Sequence, residues 1–224
     1  VIVPAVAIVA ARALPMDDAA SAAVILIGCC AGAPFLPTLA KLSHGEPGLA
    51  VAAMTLMMVV TIGFAPVVVP LAVEGAEVST WDIAQSLLMF MLLPLVVGLL
   101  VRARYPDAAH AAVGGFAHAS TAGLAVGVVA GLLVTWREVL GSIGSWIFVG
   151  TAIVIVAGIA AGWLTAIGRS GEERILLGLG AAQRGISAAL VIAASLGPDV
   201  VVLTLVAAIV LPIALIVIAG EIGK

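Results

Sequence analysis

The chain contains few charged residues for its length. Only 9% of its 224 residues are Asp, Glu, Lys or Arg, whereas soluble domains carry about 25%. Nine basic and twelve acidic side chains are too few to cover the surface of a water-soluble protein of this size. The same shortage excludes an intrinsically disordered chain and a basic nucleic-acid-binding surface.

Residues that form disulfides or hold metals are also scarce. The two cysteines, Cys29 and Cys30, are adjacent within an apolar run, which excludes a disulfide-stapled secreted fold. The three histidines are His44, His110 and His118, and no two of them have the spacing of metal ligands. The sequence therefore predicts neither a metal site nor a cofactor.

Apolar residues, by contrast, make up 64% of the chain, and the mean hydropathy is +1.34. A helix needs about 20 predominantly apolar residues to cross a bilayer. Eight apolar stretches are separated by Gly, Pro or charged residues: 1–11, 20–42, 48–72, 82–101, 111–134, 143–167, 174–196 and 199–219. We therefore predict an all-α, polytopic membrane helical bundle. Because Val1 lies inside an apolar run, we also expect the first span to begin upstream of it.

The charged residues fall almost entirely between these stretches, so their distribution predicts the orientation. One set of alternate loops, with the C-terminus, carries six basic residues: Lys41, Arg102, Arg104, Arg169, Arg174 and Lys224. The other set carries only Arg12 and Arg137. Cytoplasmic loops are enriched in Lys and Arg. The loops 41–47, 102–110 and 168–174 and the C-terminus are therefore expected on the cytoplasmic side.

Two of the stretches are interrupted near their middle. Segment 32–37 contains a glycine and two prolines, and proline removes a backbone donor and clashes with the preceding turn. The other interrupted stretch carries the segment Gln183–Gly185 halfway along. Each is the middle member of three spans, a pattern typical of the inverted repeats of secondary transporters, whose discontinuous helices meet near mid-membrane. We therefore expect the two discontinuous helices to cross near mid-membrane and to bring 34–37 close to Gln183–Gly185.

The same pattern divides the chain into three parts. Residues 1–80 and 136–224, with three spans each, are predicted to form the two halves of a core domain. Residues 81–135, with two spans, form a separate, smaller part. Gly/Ala-rich faces at 113–131 and 157–162 predict close helix packing, because small residues let helix backbones approach in a membrane.

Five segments have a recognisable order and spacing: Gly28–Gly32, Leu42–Gly45, Leu92–Arg102, Gly180–Gln183 and Ser187–Leu190. In these segments the chain resembles the bile acid:sodium symporter family. The resemblance implies a core domain that rocks against a panel domain, with two further helices before Val1 and only 82–101 and 111–134 of the panel present. It also implies a transporter of small organic anions in a plasma membrane of bacterial type.

The resemblance extends poorly to the residues that bind sodium in that family. Positions aligned with its polar ligands now carry side chains without oxygen: Leu36, Pro37, Ala50, Met54 and Leu179. Gln183 is kept, but Arg184 stands where the family has an asparagine. Hard cations prefer oxygen ligands, with a carboxylate to offset their charge. Sodium coupling is therefore not expected, and a symporter that uses sodium or a proton through other ligands is the alternative.

Arg184 is the main candidate for a functional residue, because an arginine at mid-helix costs roughly +2.5–3.5 kcal/mol on membrane insertion. It can act as a counter-ion for an anionic substrate, as a built-in replacement for sodium, or as a gate. The alternative is a structural arginine that pairs with carbonyls freed by the opposite break. The predicted substrate- and ion-binding residues come from both breaks: Arg184, Gln183, Gly185, Ser187, Pro34, Phe35, Leu36 and Pro37.

Two other classes of membrane protein fit the sequence less well. An intramembrane protease needs a nucleophile with a base in reach. Ser187 lies in no Gly-x-Ser-x-Gly motif, and His118 is the one histidine inside a predicted span. A channel needs a repeated pore ring or a polar stripe along one span. We therefore predict a secondary transporter of small organic anions in the lipid bilayer that is not an enzyme.

Overall fold

The computed structural model describes residues 2–32, 35–73 and 79–223. These residues form an all-α bundle in which no extended strand occurs. Its helices are α1 (Ile2–Ala13), α2 (Asp18–Cys29), α3 (Leu36–Leu42), α4 (Pro47–Ala72), α5 (Thr80–Leu87), α6 (Leu93–Arg104), α7 (Pro106–Gly141), α8 (Ile147–Thr165), α9 (Gly171–Ala182), α10 (Ile186–Leu196) and α11 (Pro198–Ile222). A π-helical turn, Leu88–Leu92, joins α5 to α6. The predicted all-α membrane helical bundle is confirmed.

The starts of these helices follow local sequence signals. The Asp17 carboxylate caps α2 by accepting the Ala20 N–H at 2.7 Å. Ser170 and Glu173 cap α9 reciprocally, each side chain accepting the backbone N–H of the other. Proline occupies the first turn of α3, α4, α7 and α11, where its missing N–H has no partner to lose. The two side-chain caps fix the starts of α2 and α9, the half-helices that lead into the two breaks.

Among the described residues, three helices are individually long and apolar enough to cross a membrane: α4, α8 and α11. Two further spans are interrupted, because α2 is followed by the short α3 and α9 by α10. Five of the eight predicted stretches correspond to one helix each, two correspond to an interrupted helix, and 82–101 corresponds to α5 and α6 joined by the π-helical turn. The two interruptions fall in the second and seventh stretches, as the sequence predicts.

Helices α8 and α9 pack closely along the small-residue segment 157–162. A Cβ atom at Gly158 would lie 2.4 Å from the Cα of Ala182, and one at Gly162 would lie 2.3 Å from the carbonyl oxygen of Leu177. Glycine at these two positions is what allows the backbones to approach. The close packing predicted at 157–162 is confirmed.

The same prediction for the small-residue face at 113–131 is wrong for its described glycines. No atom of a neighbouring element lies within 4 Å of a Cβ built at Gly114, Gly115, Gly123 or Gly127. A run of small residues creates a surface that a second helix can approach closely, but it does not supply that helix. In this chain α7 contacts α6 and α11 and leaves these glycines open.

The helix contacts repeat between the two ends of the chain. Helix α1 packs on α2 as α8 packs on α9, and α3 packs on α4 as α10 packs on α11. Across the two halves, α2 contacts α11 and α4 contacts α9. An inverted repeat requires this exchange of equivalent contacts. The packing therefore agrees with two structurally related triplets on either side of α5–α7.

Helices α5 to α7 contact the rest of the bundle at few places. Helix α5 contacts α4 and α10, α7 contacts α11, and α6 has no buried residue in the part of the chain that the structure describes. Large apolar side chains on this unit remain exposed, such as Val113 at 62% and Phe116 at 77%. The division of the chain into a core domain, 1–80 and 136–224, and a smaller part, 81–135, stays a prediction.

Candidate functional site

The two helix breaks cross through their backbones. Helix α2 ends at Cys29 and α9 ends at Ala182, and the residues that follow are extended. The Gly185 N–H donates to the Cys30 carbonyl at 2.9 Å, and Ala31 forms an antiparallel bridge with Arg184. Backbone groups inside a membrane protein need such partners where a helix is interrupted. Each break therefore provides hydrogen-bond partners for backbone groups of the other break that have none within their own helix.

The described backbone contacts at the crossing are made by residues that precede the predicted segment 34–37. The predicted crossing of the two interrupted helices is confirmed, whereas the closeness of 34–37 to Gln183–Gly185 stays a prediction; the backbone contacts that the structure describes are made by Cys30 and Ala31. Helix α2 already ends before this pair, whereas Pro37 lies in the first turn of α3. Pro37 thus marks where the helix resumes and not where it stops.

The other predicted residues of the first break lie around the crossing. Pro34 lies outside the described residues. Phe35 is half-buried and precedes α3 directly. Leu36 is buried, and its Cδ2 atom would lie 2.9 Å from a Cβ at Gly180, so it packs on the last turns of α9. Leu36 therefore links α3 to the second interrupted helix.

Helix α4 holds the first break in place through two contacts that sequence reasoning missed. Gly32 has φ +80°, and a Cβ there would lie 2.5 Å from the Met58 backbone nitrogen. The Thr61 hydroxyl accepts the Ala31 N–H at 3.0 Å and donates to the Ala31 carbonyl at 3.0 Å. Both conformation and space require glycine at position 32. Its position in the interrupted stretch was a usable signal, but nothing in the sequence distinguished Thr61 from other helical threonines.

Arg184 lies between the ends of the two half-helices. Its Nη1 donates to the Gly28 carbonyl at 3.3 Å, and its Nη2 donates to the Ala181 carbonyl. Both acceptors belong to last turns, where carbonyl groups lack intrahelical partners. The C-terminus of each helix also carries a partial negative charge. The guanidinium, only 3% exposed, thus contacts both negative helix ends at once.

Gln183 and Ser187 flank the arginine but differ in environment. Gln183 is 3% exposed, and neither its amide oxygen nor its amide nitrogen has a hydrogen-bond partner among the described residues. Ser187 is exposed in the first turn of α10. At Gly185, a Cβ would lie 3.1 Å from the Ala31 carbonyl oxygen. Among the described residues, no group of three or more His, Cys, Asp or Glu side chains is placed to hold a metal ion.

A comparison with protein families identifies the chain. The model of the sodium bile acid symporter family matches residues 1–142. The chain belongs to this family. It is therefore an integral membrane protein of a transporter family and not a member of an enzyme family.

A curated relative supports the same assignment. An uncharacterized sodium-dependent transporter, YocS of Bacillus subtilis (strain 168), is 33% identical to this chain over 119 residues. The aligned region covers 49% of this chain and 36% of the relative. The chain thus spans about a third of the length of the curated relative that it matches.

The family match covers one side of the crossing. Residues 1–142 include the first break at Cys30 and Ala31 and extend through α7. Arg184 lies beyond the matched residues, in the second interrupted helix. Its connection to the family part is structural, through its hydrogen bond to Gly28 and the bridge with Ala31. The candidate site of this symporter family member is therefore assembled from both halves.

Proposed function

We propose that this protein is a secondary transporter that moves small organic anions across the plasma membrane of a bacterium by alternating access. Its family supports transport as the general activity. The crossing of two interrupted helices from the two ends of the chain is the observation that carries the proposal. Secondary transporters use half-helix ends at such crossings to bind charged substrates and ions.

A negatively charged substrate suits the helix ends that meet at this site. Helix α10 begins at Ile186, next to the crossing, and a helix N-terminus offers free N–H groups and a partial positive charge. Ser187 adds an exposed hydroxyl in the same turn. Arg184 adds a full positive charge, and the buried polar residues of the described chain include no Asp or Glu. An anion would therefore find donors without a competing carboxylate.

The proposed movement is a rocking of a panel, 81–135, against a core formed by 1–80 and 136–224. The panel meets the core through contacts of α5 with α4 and α10 and of α7 with α11, while α6 buries no described residue. Helix α10 also carries Ser187. A substrate at the start of α10 would thus lie on a helix that the panel contacts, so that a change in this contact can open the site to one side or the other.

Uptake into proteoliposomes tests this function. The purified protein is offered labelled organic anions of increasing size, with uncharged analogues of the same size as controls. We expect saturable uptake of at least one anion and no uptake of its uncharged analogue. Uptake of the uncharged analogue at the same rate, or no uptake of any anion, would contradict the proposal.

A matched pair of serine variants tests the position of the substrate. Ser187→Ala should weaken uptake up to about tenfold, because a hydrogen bond contributes roughly 0.5–1.5 kcal/mol. Ser195→Ala is the control, since Ser195 lies near the other end of α10 and its hydroxyl donates to the Ile192 carbonyl at 2.6 Å. Equal effects of the two changes would place the substrate elsewhere.

A sodium-coupled symporter is the second candidate function. The printed descriptions of the family and of the relative both name sodium. The unpartnered amide oxygen of Gln183 also favours it, since this oxygen is buried beside the crossing. In a sodium-coupled symporter, a bound cation would supply the positive charge at the crossing and would couple transport to the ion gradient, with Gln183 as one ligand.

A further inference from the structure

We propose that Arg184 is a built-in counter-cation for the two half-helices, so that the crossing works without a bound sodium ion. The inference rests on the proposed transport function for its coupling consequence. Its electrostatic part is independent of any substrate, because it concerns only how α2 and α9 end. The two parts can therefore be tested separately.

The first argument is where the guanidinium lies. In secondary transporters, half-helix C-terminal ends and unwound carbonyls at a crossing coordinate the coupling sodium ion. Here the C-terminal ends of α2 and α9 meet, and carbonyls of their last turns, at Gly28 and Ala181, accept hydrogen bonds from Arg184. The arginine thus occupies acceptors of the kind that such a cation would use.

The second argument is that the positive charge of Arg184 is held permanently at the crossing. The backbone of Arg184 is bridged to Ala31, and the next N–H, of Gly185, donates to Cys30. The side chain itself is 3% exposed. A guanidinium is permanently charged and presents several donors in a fixed plane. A sodium ion has to bind from solution in each transport cycle, whereas this positive charge is always present.

The third argument is that a sodium ion does not fit beside this arginine. A second cation would face the full charge of the guanidinium, and like charges at close range repel strongly in a site of low dielectric constant. Among the described residues, the buried polar side chains are Ser43, Thr61, Ser142, Thr151, Gln183, Arg184 and Thr204. None of them is a carboxylate. Gln183 would offer one neutral oxygen, which is too little to offset the repulsion.

Thermal stability with and without sodium tests the electrostatic part. The purified protein is melted in detergent in sodium chloride and in choline chloride at equal ionic strength. We expect the same Tm in both salts. Arg184→Gln should lower the Tm by several degrees in choline, and sodium should recover part of that loss, because the exposed carbonyls of the two helix ends then gain a mobile cation.

Two further variants serve as controls. Arg184→Lys keeps a positive charge and should stay insensitive to sodium. Arg174→Gln removes a different, partly buried arginine, whose guanidinium carbon lies 4.5 Å from the centre of the Trp163 ring. This variant should also show no effect of sodium on the Tm. A sodium-dependent Tm of the unmodified protein, or an Arg184→Gln variant that melts identically in both salts, would overturn the proposal.

Binding of radioactive sodium covers the case in which Arg184→Gln does not fold. The unmodified protein should bind no ²²Na⁺ above the background of protein-free detergent, and saturable binding would overturn the proposal. Uptake by the unmodified protein should be equal in sodium and in choline. If anion uptake is absent altogether while the stability and binding results are as expected, the proposed function fails and the role of Arg184 stands.

Discussion

Thr55 and Thr61 lie six residues apart on α4, and their hydroxyl groups bond to different parts of the chain. Thr55 donates to the Val51 carbonyl of its own helix at 2.8 Å, as threonines in membrane helices commonly do. Thr61 instead bonds to both the N–H and the carbonyl of Ala31. Sequence alone treats the two threonines alike, because the difference depends on which helix break lies opposite.

The first prediction concerns this hydroxyl. Thr61→Val keeps the shape of the side chain but leaves two partly buried backbone groups of Ala31 without this partner, and we expect a loss of about 1–3 kcal/mol in stability. Thermal melting in detergent measures it. Thr61→Ser should restore most of the loss, and Thr55→Val should change stability by less than about 0.5 kcal/mol. Equal losses for Thr55→Val and Thr61→Val would contradict the role given to Thr61.

The site residues were only partly predictable for a similar reason. Arg184 was predictable because a charge in the middle of an apolar stretch must have a partner. Its partners were not, since the carbonyls of Gly28 and Ala181 have no sequence signature beyond lying near helix breaks. The structural alternative was an arginine that pairs with carbonyls of the opposite break. The structure contains such a hydrogen bond, from Arg184 to the Gly28 carbonyl. A role for the same arginine in substrate binding stays a prediction.

At the scale of whole elements, helix breaks were easier to predict than helix partners. Both interrupted helices were located from glycine, proline and charged residues inside apolar stretches, and the structure confirms both. The backbone contacts of Cys30 and Ala31 at the crossing were not predicted, because the prolines drew attention to the start of α3, whereas α2 already ends at Cys29. The two small-residue faces also differed in their packing partners. The face 157–162 packs on α9, whereas the described glycines of 113–131 have no neighbouring helix within 4 Å of a built Cβ.

The second prediction tests the close packing of α8 on α9. Gly162→Ala places a Cβ where the Leu177 carbonyl oxygen would be 2.3 Å away, so the helices must separate, at a cost of about 1–3 kcal/mol. Gly63→Ala is the matched control, because its Cβ would meet no atom within 4 Å and alanine favours a helix over glycine by up to about 1 kcal/mol. Melting temperatures should therefore fall for the first variant and hold or rise for the second. A fall of equal size in both would refute the packing argument.

At the scale of the whole molecule, loops that were predicted to share a side of the membrane share an end of the bundle. The His44 Nε2 atom lies 3.1 Å from the Gly223 carbonyl oxygen, which joins the loop after α3 to the end of α11. Gly45 lies beside Leu176 in α9. At the opposite end, Arg12 and Val73 line one small cavity, which joins the ends of α1 and α4. Alternate loops therefore separate to opposite ends, as a membrane protein with alternating spans requires.

The third prediction concerns which of these ends is cytoplasmic. Basic residues number six in one set of loops and two in the other, and Lys and Arg are retained preferentially on the cytoplasmic side. The test introduces one cysteine at a time, Arg104→Cys on the basic side and Ile143→Cys on the other. Ile143 is 69% exposed, so a cysteine there should be accessible to reagents.

Intact cells are treated with a maleimide that does not cross membranes. We expect it to label Ile143→Cys at once and Arg104→Cys only after the cells are permeabilised. The unmodified protein is the control, because Cys29 and Cys30 are 2% and 0% exposed and should not react. The reverse pattern would invert the orientation, and the face of the crossing that opens to the cytoplasm would then be the one at the ends of α1 and α4.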